Sequence, residues 1–405
     1  MASFGDIMIR HTCVYVFVTF FSFVLGQATE AETNRNVIFR GGLQNSRIQF
    51  EQNKTGRIAF IGGSITQMNG YRPMVSDWLQ VQFPKTKFEF INAGIASTDS
   101  HTGAFRLGDH VLNKGRTDLL FIEFAVNDDQ DAQHSKRGCL LGIEGIVRQM
   151  RLRQPMCDLV VTHFVNPSML QQIQSGKTPQ SIEAHEEVLR HYHVSSVYLA
   201  REVADRIAAG KLTWEEYGGT HPKPIGNALA ADLIDELLSS QWAKTLPANI
   251  AKSARFLPAK PIDSASFFNG RFFSPGLANQ DGGWELHVPD WKNIPGAFRK
   301  TFAGLKLLCG EPKSGELSFE FEGQAVGAYV LAGPDAGVLE VSVDGRQFKP
   351  TNLYHRYSRG LHYPRTVMFA TDLKPSRHSI VLRLVKPSEK GTKRTAARIL
   401  EFVVN

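Results

Sequence analysis

A serine stands directly after an apolar run and two glycines in the stretch RIAFIGGSITQMNG, residues 57–70. The apolar run is typical of a buried strand, and a serine on the sharp turn after such a strand presents its hydroxyl at the sheet edge. Glycines relieve crowding there and allow unusual backbone angles. Ser64 is therefore a candidate nucleophile, although turns of glycine and serine also occur in loops without chemistry.

Three further segments contain groups that a serine nucleophile needs. Gly94, in NAGIAS, can bring an uncovered backbone N–H close to a ligand. Asn127, in AVNDD, has a side-chain amide that can donate a hydrogen bond to a developing negative charge. His221 lies in the glycine- and proline-rich loop WEEYGGTHPKPIGN, and histidine is the usual base for a hydroxyl nucleophile. Taken singly, each residue is equally consistent with a plain turn, a helix cap or a loop histidine.

The elements that must position these residues alternate between strand-like and helix-like patterns. Strands are predicted at 57–61, 87–92, 118–124, 158–164 and 195–199, and helices at 71–83, 102–113, 138–153, 181–191 and 225–239. Such alternation predicts a parallel sheet covered by helices on both faces. Ligand sites in these sheets lie beyond the carboxyl ends of the strands. Ser64, Gly94 and Asn127 each follow a predicted strand, so we expect them at one edge.

In this order and on this α/β pattern, the four residues resemble the SGNH hydrolase family, also called the GDSL esterases. That family is named for a serine, a glycine, an asparagine and a histidine, each in its own sequence block. The resemblance covers about residues 57–240 and implies a flavodoxin-like three-layer α/β/α domain. It also implies an acyl-enzyme on Ser64, with the oxyanion bound by the backbone N–H groups of Ser64 and Gly94 and by the Asn127 amide. His221 would take the serine proton and return it to the leaving alcohol.

The chain departs from the family pattern at two positions. Gly63 stands where the family usually has aspartate before the serine, a residue outside the chemistry. Gly218 stands three residues before His221, where an aspartate commonly orients the imidazole. Either Glu215 or Glu216 of the same loop replaces this acid, or a backbone carbonyl does, or the site works as a Ser–His dyad.

A second prediction concerns the loop around the nucleophile. Asp128, next to the candidate asparagine, is expected to brace the Ser64 loop by accepting hydrogen bonds from its backbone N–H groups. The histidines elsewhere show no metal-ligand spacing, so neither a metal nor another cofactor is predicted.

The sequence pattern changes after residue 241. Residues 242–264 contain three prolines and are interpreted as a linker, and residues 265–405 contain short alternating runs separated by turn residues. This pattern predicts an all-β sandwich of jelly-roll type, with a hairpin at VDGR. Five aromatic residues in this part are candidates to stack on sugar rings, although core packing is the commoner role: Trp284, Trp291, Tyr354, Tyr357 and Tyr363.

The net charge of +7 is concentrated in the C-terminal part. Residues 255–405 hold 21 of the 46 Lys and Arg residues but only 14 of the 39 Asp and Glu residues, so the excess lies there. An anionic partner such as an acidic polysaccharide would suit this charge, although a solvated basic face is the commoner reason for it. Nucleic acid is not expected as a partner.

The N-terminal sequence predicts that the protein is exported. Arg10 and His11 precede the 13-residue uncharged run Cys13–Leu25, and the small residues that follow end at Ala28. This run is short for a membrane span but fits a signal-peptide core. We therefore expect residues 1–28 to be removed near Ala28, which leaves no membrane span, with 29–56 as an N-terminal extension and 57–241 as the hydrolase domain.

Together these features predict a secreted serine esterase that cleaves an oxygen ester, for example an acetyl group on a carbohydrate. A glycan-binding or surface protein with reduced catalysis is the first alternative, because Gly218 removes the usual acid. A lipase or thioesterase of the same fold is the second alternative.

Overall fold

The computed structural model describes residues 1–2, 34–247, 249–280, 282–385 and 394–405. Nearly all of the predicted signal segment, including the cleavage site near Ala28, lies outside the described residues. Within the ranges given above, none of the helices has both the length and the apolar composition that a membrane crossing requires.

The N-terminal part contains one six-stranded sheet. Its strands are β1 (Val37–Ile38), β2 (Thr55–Gly62), β3 (Lys87–Gly94), β4 (Leu119–Glu123), β5 (Asp158–Thr162) and β6 (Ser195–Val197). The spatial order is β1-β6-β5-β4-β2-β3, and β2 to β6 run parallel while β1 is antiparallel to β6. The five parallel strands therefore follow the flavodoxin-like order, as predicted. The two-residue strand β1 was not predicted, because so short a segment carries no periodic pattern.

Ten helices accompany this sheet within the described residues. They are α1 (Gln44–Asn53), α2 (Ser64–Gln67), α3 (Tyr71–Gln82), α4 (Ser100–His110), α5 (Lys136–Arg153), α6 (Pro167–Gln174), α7 (Gln180–His191), α8 (Leu199–Ala208), α9 (Trp214–Tyr217) and α10 (Pro224–Trp242). Alternate residues of β2 enter two different cores: Ile58 and Phe60 face α3 and α10, whereas Ala59 and Ile61 face α4 and α5. Both faces of the sheet are buried, which confirms the three-layer arrangement.

The C-terminal part consists of two antiparallel sheets packed face to face. Its strands are β7 (Arg271–Phe273), β8 (Asn279–Gln280), β9 (Glu285–His287), β10 (Leu307–Gly310), β11 (Leu317–Gly323), β12 (Val326–Ala332), β13 (Val338–Val343), β14 (Lys349–Asn352), β15 (Tyr363–Ala370), β16 (Ser376–Leu384) and β17 (Ala397–Val404). One sheet has the order β15-β12-β17-β10-β9 with β7 beside β17, and the other has the order β14-β13-β16-β11-β8. A core of alternating side chains such as Phe319, Val330 and Ile380 lies between them, as in other sandwiches.

The hairpin predicted at VDGR connects β13 and β14. Asp344 and Gly345 have φ angles of +53° and +67°, which is the pair of left-handed residues that a type I′ turn requires.

The two parts share one continuous apolar core. Phe267 packs on Phe105 of α4. Tyr329 and Val403, which belong to the two C-terminal sheets (the β-sheet region), lie in the same cluster. Gly145 of α5 allows this close approach, because a Cβ there would lie 2.9 Å from the carbonyl group of Phe267. The end of the predicted linker is also fastened to α5, where Glu144 accepts hydrogen bonds from the Ile262 and Asp263 backbone N–H groups.

Candidate active site

Ser64 and His221 meet at the carboxyl edge of the parallel sheet. Ser64 is the first residue of the four-residue helix α2, which begins two residues after the end of β2. His221 lies in the loop between α9 and α10, and its Nε2 is 2.8 Å from Ser64 Oγ. Ser64 is half-buried and His221 is exposed, so the hydroxyl and the imidazole are open to a substrate. The first residue of a helix also has a backbone N–H without an intrahelical acceptor, which leaves that of Ser64 as a donor.

Asn127 packs directly against the nucleophile's turn. It begins a short π-helical turn, Asn127–Asp131, and its side chain is buried. A Cβ at Gly63 would lie 2.1 Å from Asn127 Oδ1, so no side chain larger than hydrogen fits at position 63 in this arrangement. Glycine at position 63 is compatible with this close contact. It also places the Asn127 amide beside the residue that precedes Ser64.

The Asn127 amide is held by a carboxylate. Its Nδ2 donates to Asp131 Oδ2 at 2.7 Å, and burial raises the pKa of Asp131. An amide nitrogen carries two hydrogens, so this bond leaves the second one as a donor for an oxyanion.

Gly94 lies at the end of β3 and is buried against α2. A Cβ on Gly94 would be 2.3 Å from the backbone nitrogen of Gln67, so the packing requires glycine. Its N–H donates to Oδ1 of Asn92 at 3.0 Å, and an oxyanion would have to share or displace that bond. The predicted role of Gly94 as an oxyanion donor stays a prediction.

Ser97 is a candidate that sequence reasoning missed. It is buried and has a φ of +72°, in the left-handed region that a serine rarely occupies. Among the described residues, its backbone N–H has no hydrogen-bond acceptor, whereas its neighbour Ala96 donates to Oε1 of Gln67 in α2 at 3.1 Å. Unusual backbone angles cluster at functional sites, so Ser97 joins the candidate oxyanion donors. No feature of the sequence marks a serine for this conformation.

The expected acid partner of His221 is not in place. Gly218 has a φ of +108°, and a Cβ there would lie 2.2 Å from the Lys223 backbone nitrogen, so an aspartate does not fit. The Glu216 carboxylate accepts from the Thr213 N–H at 2.8 Å and completes a capping box of α9. Glu215 is exposed. Within the part of the chain that the structure describes, Nδ1 of His221 has no hydrogen-bond partner.

Glu123, and not Asp128, braces the Ser64 turn. Asp128 instead accepts from the Ser100 N–H at 2.8 Å and lies 2.9 Å from His185 Nε2, so the prediction for Asp128 was wrong. Glu123 ends β4 and is fully buried, and its Oε2 accepts from the Gly63 N–H at 3.3 Å and from the Thr66 hydroxyl at 3.2 Å. Burial raises the pKa of this carboxyl to about 7, against the opposing effect of its two donors.

The β-sheet region supplies one rim of the site. His355 Nε2 lies 3.0 Å from the Asp131 backbone oxygen, and Arg356 donates to the backbone oxygen of Gln130. Gln130 in turn accepts from the hydroxyl of Thr220, the residue before His221, at 3.4 Å. The segment at 355–356 therefore touches the same turn that contains Asn127.

The predicted sugar-stacking aromatics have different environments. Trp284 and Tyr363 are buried, Trp291 stacks on Phe298, and the ring of Tyr354 is covered by an arginine. Tyr357 alone among these five is more than a third exposed, and it lies on the rim, where its hydroxyl accepts from Gln130 Nε2 at 3.4 Å.

A polar cavity adjoins the Asn127–Asp131 turn. Its volume is about 550 Å³, and its lining includes Asp129, Gln130, His134, Asn166, Gln180 and Arg356. Neither Ser64 nor His221 lines this cavity, and its amides, carboxylate and guanidinium can form hydrogen bonds with hydroxyl groups. No group of three side chains that could hold a metal ion occurs among the described residues.

Comparison with known proteins agrees with this fold. The model of the GDSL-like Lipase/Acylhydrolase family matches residues 60–229. Two crystal structures of a two-domain esterase (CEX) active on acetylated mannans resemble 91% of this chain at 22% identity. The crystals grown with mannopentaose give a TM-score of 0.71 over 96% of that chain, and the others give 0.72 over 97%. At this identity the likeness establishes the fold of both parts. No curated protein matches the chain.

Proposed function

Residues 60–229 belong to the GDSL-like lipase/acylhydrolase family, which hydrolyses carboxylic esters, and on this premise we propose that the protein is an exported serine esterase that deacetylates a carbohydrate. The observation that carries the proposal is the 2.8 Å contact between Ser64 Oγ and His221 Nε2 at the strand edge where the site was expected.

In the proposed reaction, His221 Nε2 accepts the proton of Ser64 while Oγ attacks the ester carbonyl. The oxyanion receives hydrogen bonds from the Ser64 backbone N–H, from the Asn127 amide and from the backbone N–H of Ser97 or Gly94. The protonated imidazole then donates to the leaving alcohol, and the acyl group stays on Ser64. A water activated by His221 releases it as the carboxylic acid.

We propose that Ser64 and His221 work as a dyad. With no acceptor at Nδ1, the tautomer and the charge of the imidazole are supported by solvent alone, since His221 is exposed. In a triad enzyme, an acid that no longer holds the correct tautomer costs a factor of about 10⁴ in kcat. We therefore expect turnover well below that of triad esterases.

A carbohydrate acetate is the proposed substrate. The 550 Å³ cavity beside the Asn127–Asp131 turn offers hydrogen-bonding groups to a hydroxyl-rich ligand, and the solved relative with the same two-part fold is active on acetylated mannans. The basic excess of the C-terminal part suits an anionic polysaccharide as well, so both neutral and acidic acetylated glycans belong in the substrate test.

The test uses a fluorophosphonate probe and two sets of esters. Wild type should be labelled, the Ser64→Ala variant should not, and 4-nitrophenyl acetate should be cleaved faster than the octanoate. Acetate release from acetylated mannan and acetylated xylan then ranks the natural substrates. Resistance to the probe together with no cleavage of the aryl acetate would reject the esterase.

One observation favours a second candidate function, a glycan-binding protein with reduced catalysis. The position of the triad acid is sterically closed at Gly218. In that case, wild type would bind mannan oligosaccharides but resist the fluorophosphonate, and Ser64→Ala would bind them equally well. Export is proposed from residues 1–28 and is tested by determining the N-terminal residue of the protein recovered outside the cell.

A further inference from the structure

The Ser97 turn is held by the β-sheet region. Nη2 of Arg299 donates to Ser97 Oγ at 2.5 Å, and the Tyr363 hydroxyl donates to the Ser97 backbone oxygen at 3.3 Å. A left-handed serine persists only where its surroundings hold it in place. Both side chains that bond to Ser97 here come from the C-terminal part, although Ser97 itself follows a strand of the parallel sheet.

Tyr363 also contacts the Asn127–Asp131 turn. Its hydroxyl interacts with the carboxylate of Asp131, which accepts the 2.7 Å hydrogen bond from Asn127 Nδ2. The ring of His355 stacks on Tyr363 with centroids 4.5 Å apart, and His355 Nε2 reaches the Asp131 backbone oxygen. One buried tyrosine therefore touches both the Ser97 turn and the carboxylate that orients the Asn127 amide.

Arg299 adds a positive charge at the same place. Its side chain is half-buried, and within the described ranges no carboxylate lies within 4.0 Å of its nitrogens. A guanidinium stays protonated at all relevant pH values. Next to the Ser97 turn, whose N–H is one of the two alternative backbone donors proposed above, this charge favours the anionic intermediate over the neutral ester, and such an interaction acts on kcat.

We infer that the β-sheet region is a working part of the oxyanion site, with Arg299 and Tyr363 as positioning residues that hold the Ser97 N–H and the Asn127 amide in place. This inference rests on the proposed esterase function. It assigns the C-terminal part a role in the chemical step, in addition to any role in binding a glycan.

Contacts that only pack the two parts together would not reach the Ser97 turn or the Asn127 turn, and the chain contains such a contact for comparison. Arg137 of α5 forms ion pairs with Asp263 and Asp372, and neither partner lies on the Ser97 or Asn127 turn. Tyr329 of β12 has a buried hydroxyl without a partner among the described residues. Arg137→Met and Tyr329→Phe are therefore matched controls for Arg299→Met and Tyr363→Phe.

The experiment measures kcat and KM separately, with 4-nitrophenyl acetate as substrate, after thermal unfolding has shown each variant to be folded. Removing one oxyanion donor costs about 10²–10³ in kcat, so a donor that is present but badly held should cost less. We expect kcat to fall about 10-fold in Tyr363→Phe and about 30-fold in Arg299→Met, on the same scale. KM should change less than about threefold, since the acetate contacts are unaffected.

Arg299→Lys, which keeps the charge, should recover part of the kcat that Arg299→Met loses. Both controls should keep the wild-type kcat. The inference is overturned if Tyr363→Phe and Arg299→Met also keep it, or if Arg137→Met loses as much. If wild type neither cleaves the ester nor accepts a fluorophosphonate, the proposed function fails and the inference falls with it. Active wild type with unaffected variants rejects the inference alone.

Discussion

Glu123→Gln tests how the buried carboxyl under the Ser64 turn affects stability. Glu123 is fully buried, its Oε2 receives the Gly63 N–H and the Thr66 hydroxyl, and its Oε1 has no partner among the described residues. Two donors do not compensate for lost hydration, so the pKa rises from 4.5 to about 7. The native state therefore holds this proton at pH values where the unfolded chain has released it.

The sign and size of the effect follow from proton linkage. Below pH 4.5 the carboxyl is protonated in both states, and its ionisation has no cost. As the pH rises toward 7, the unfolded chain ionises first, so the native state loses stability until the folded pKa is passed. The interval from 4.5 to about 7 corresponds to about 3 kcal/mol of unfolding free energy. Glutamine keeps an acceptor for the Gly63 N–H and removes the charge.

The assay is thermal unfolding at pH 5 and pH 8. Wild type should lose about 4 °C more than Glu123→Gln between the two pH values, given the unfolding entropy of a chain of this length. Glu401 in β17 provides a second, independent test, because burial raises its pKa to about 7 as well. Glu401→Gln should remove the part of the pH-dependent loss of unfolding temperature that comes from Glu401. The double variant should remove the sum of the two parts. Equal pH dependence in wild type and Glu123→Gln would refute the reasoning.

Three further predictions concern the site's glycines and the capping glutamate. Gly218→Asp, which restores the family's residue, should lower the unfolding temperature and leave kcat no higher, because φ is +108° and the Cβ position is blocked; an increase in kcat would show that the loop adapts. Gly63→Ala should reduce kcat about 100-fold, because the new Cβ displaces the Asn127 amide and so removes one oxyanion donor. Steady-state kinetics with an aryl acetate check this prediction. Glu216→Ala removes the N3 half of the α9 capping box and should slightly lower the urea midpoint of unfolding while kcat is unchanged, whereas a large loss of kcat would identify Glu216 as the acid after all.

Much of the fold follows from local patterns. Continuous apolar runs mark β2, β4 and β5, which are covered on both faces, and period-two alternation marks β11 and β13. The family match over residues 60–229 confirms the SGNH resemblance, which depended on four short blocks in one order. The roles assigned to Ser64, Gly94, Asn127 and His221 stay predictions.

What the sequence could not predict depends on contacts between distant segments. The left-handed backbone of Ser97 is held by side chains about 200 and 266 residues further along the chain. Glu123 looks like the last residue of a strand, and only the folded sheet brings it under Gly63. The closed space at Gly218 likewise depends on how the loop returns to Lys223. None of these leaves a local pattern in the chain.

The shared core of the two parts has a practical consequence for protein engineering. Accessory domains joined by a flexible linker can be exchanged between enzymes, but here Phe267 is inserted against Phe105 and the backbone of Gly145. Removing the C-terminal part would expose this apolar face of α4 and α5 to solvent, and such exposed faces promote aggregation. A chimera that grafts a different β-sandwich onto the hydrolase half would need to reproduce this face, so the two parts should be exchanged together rather than separately.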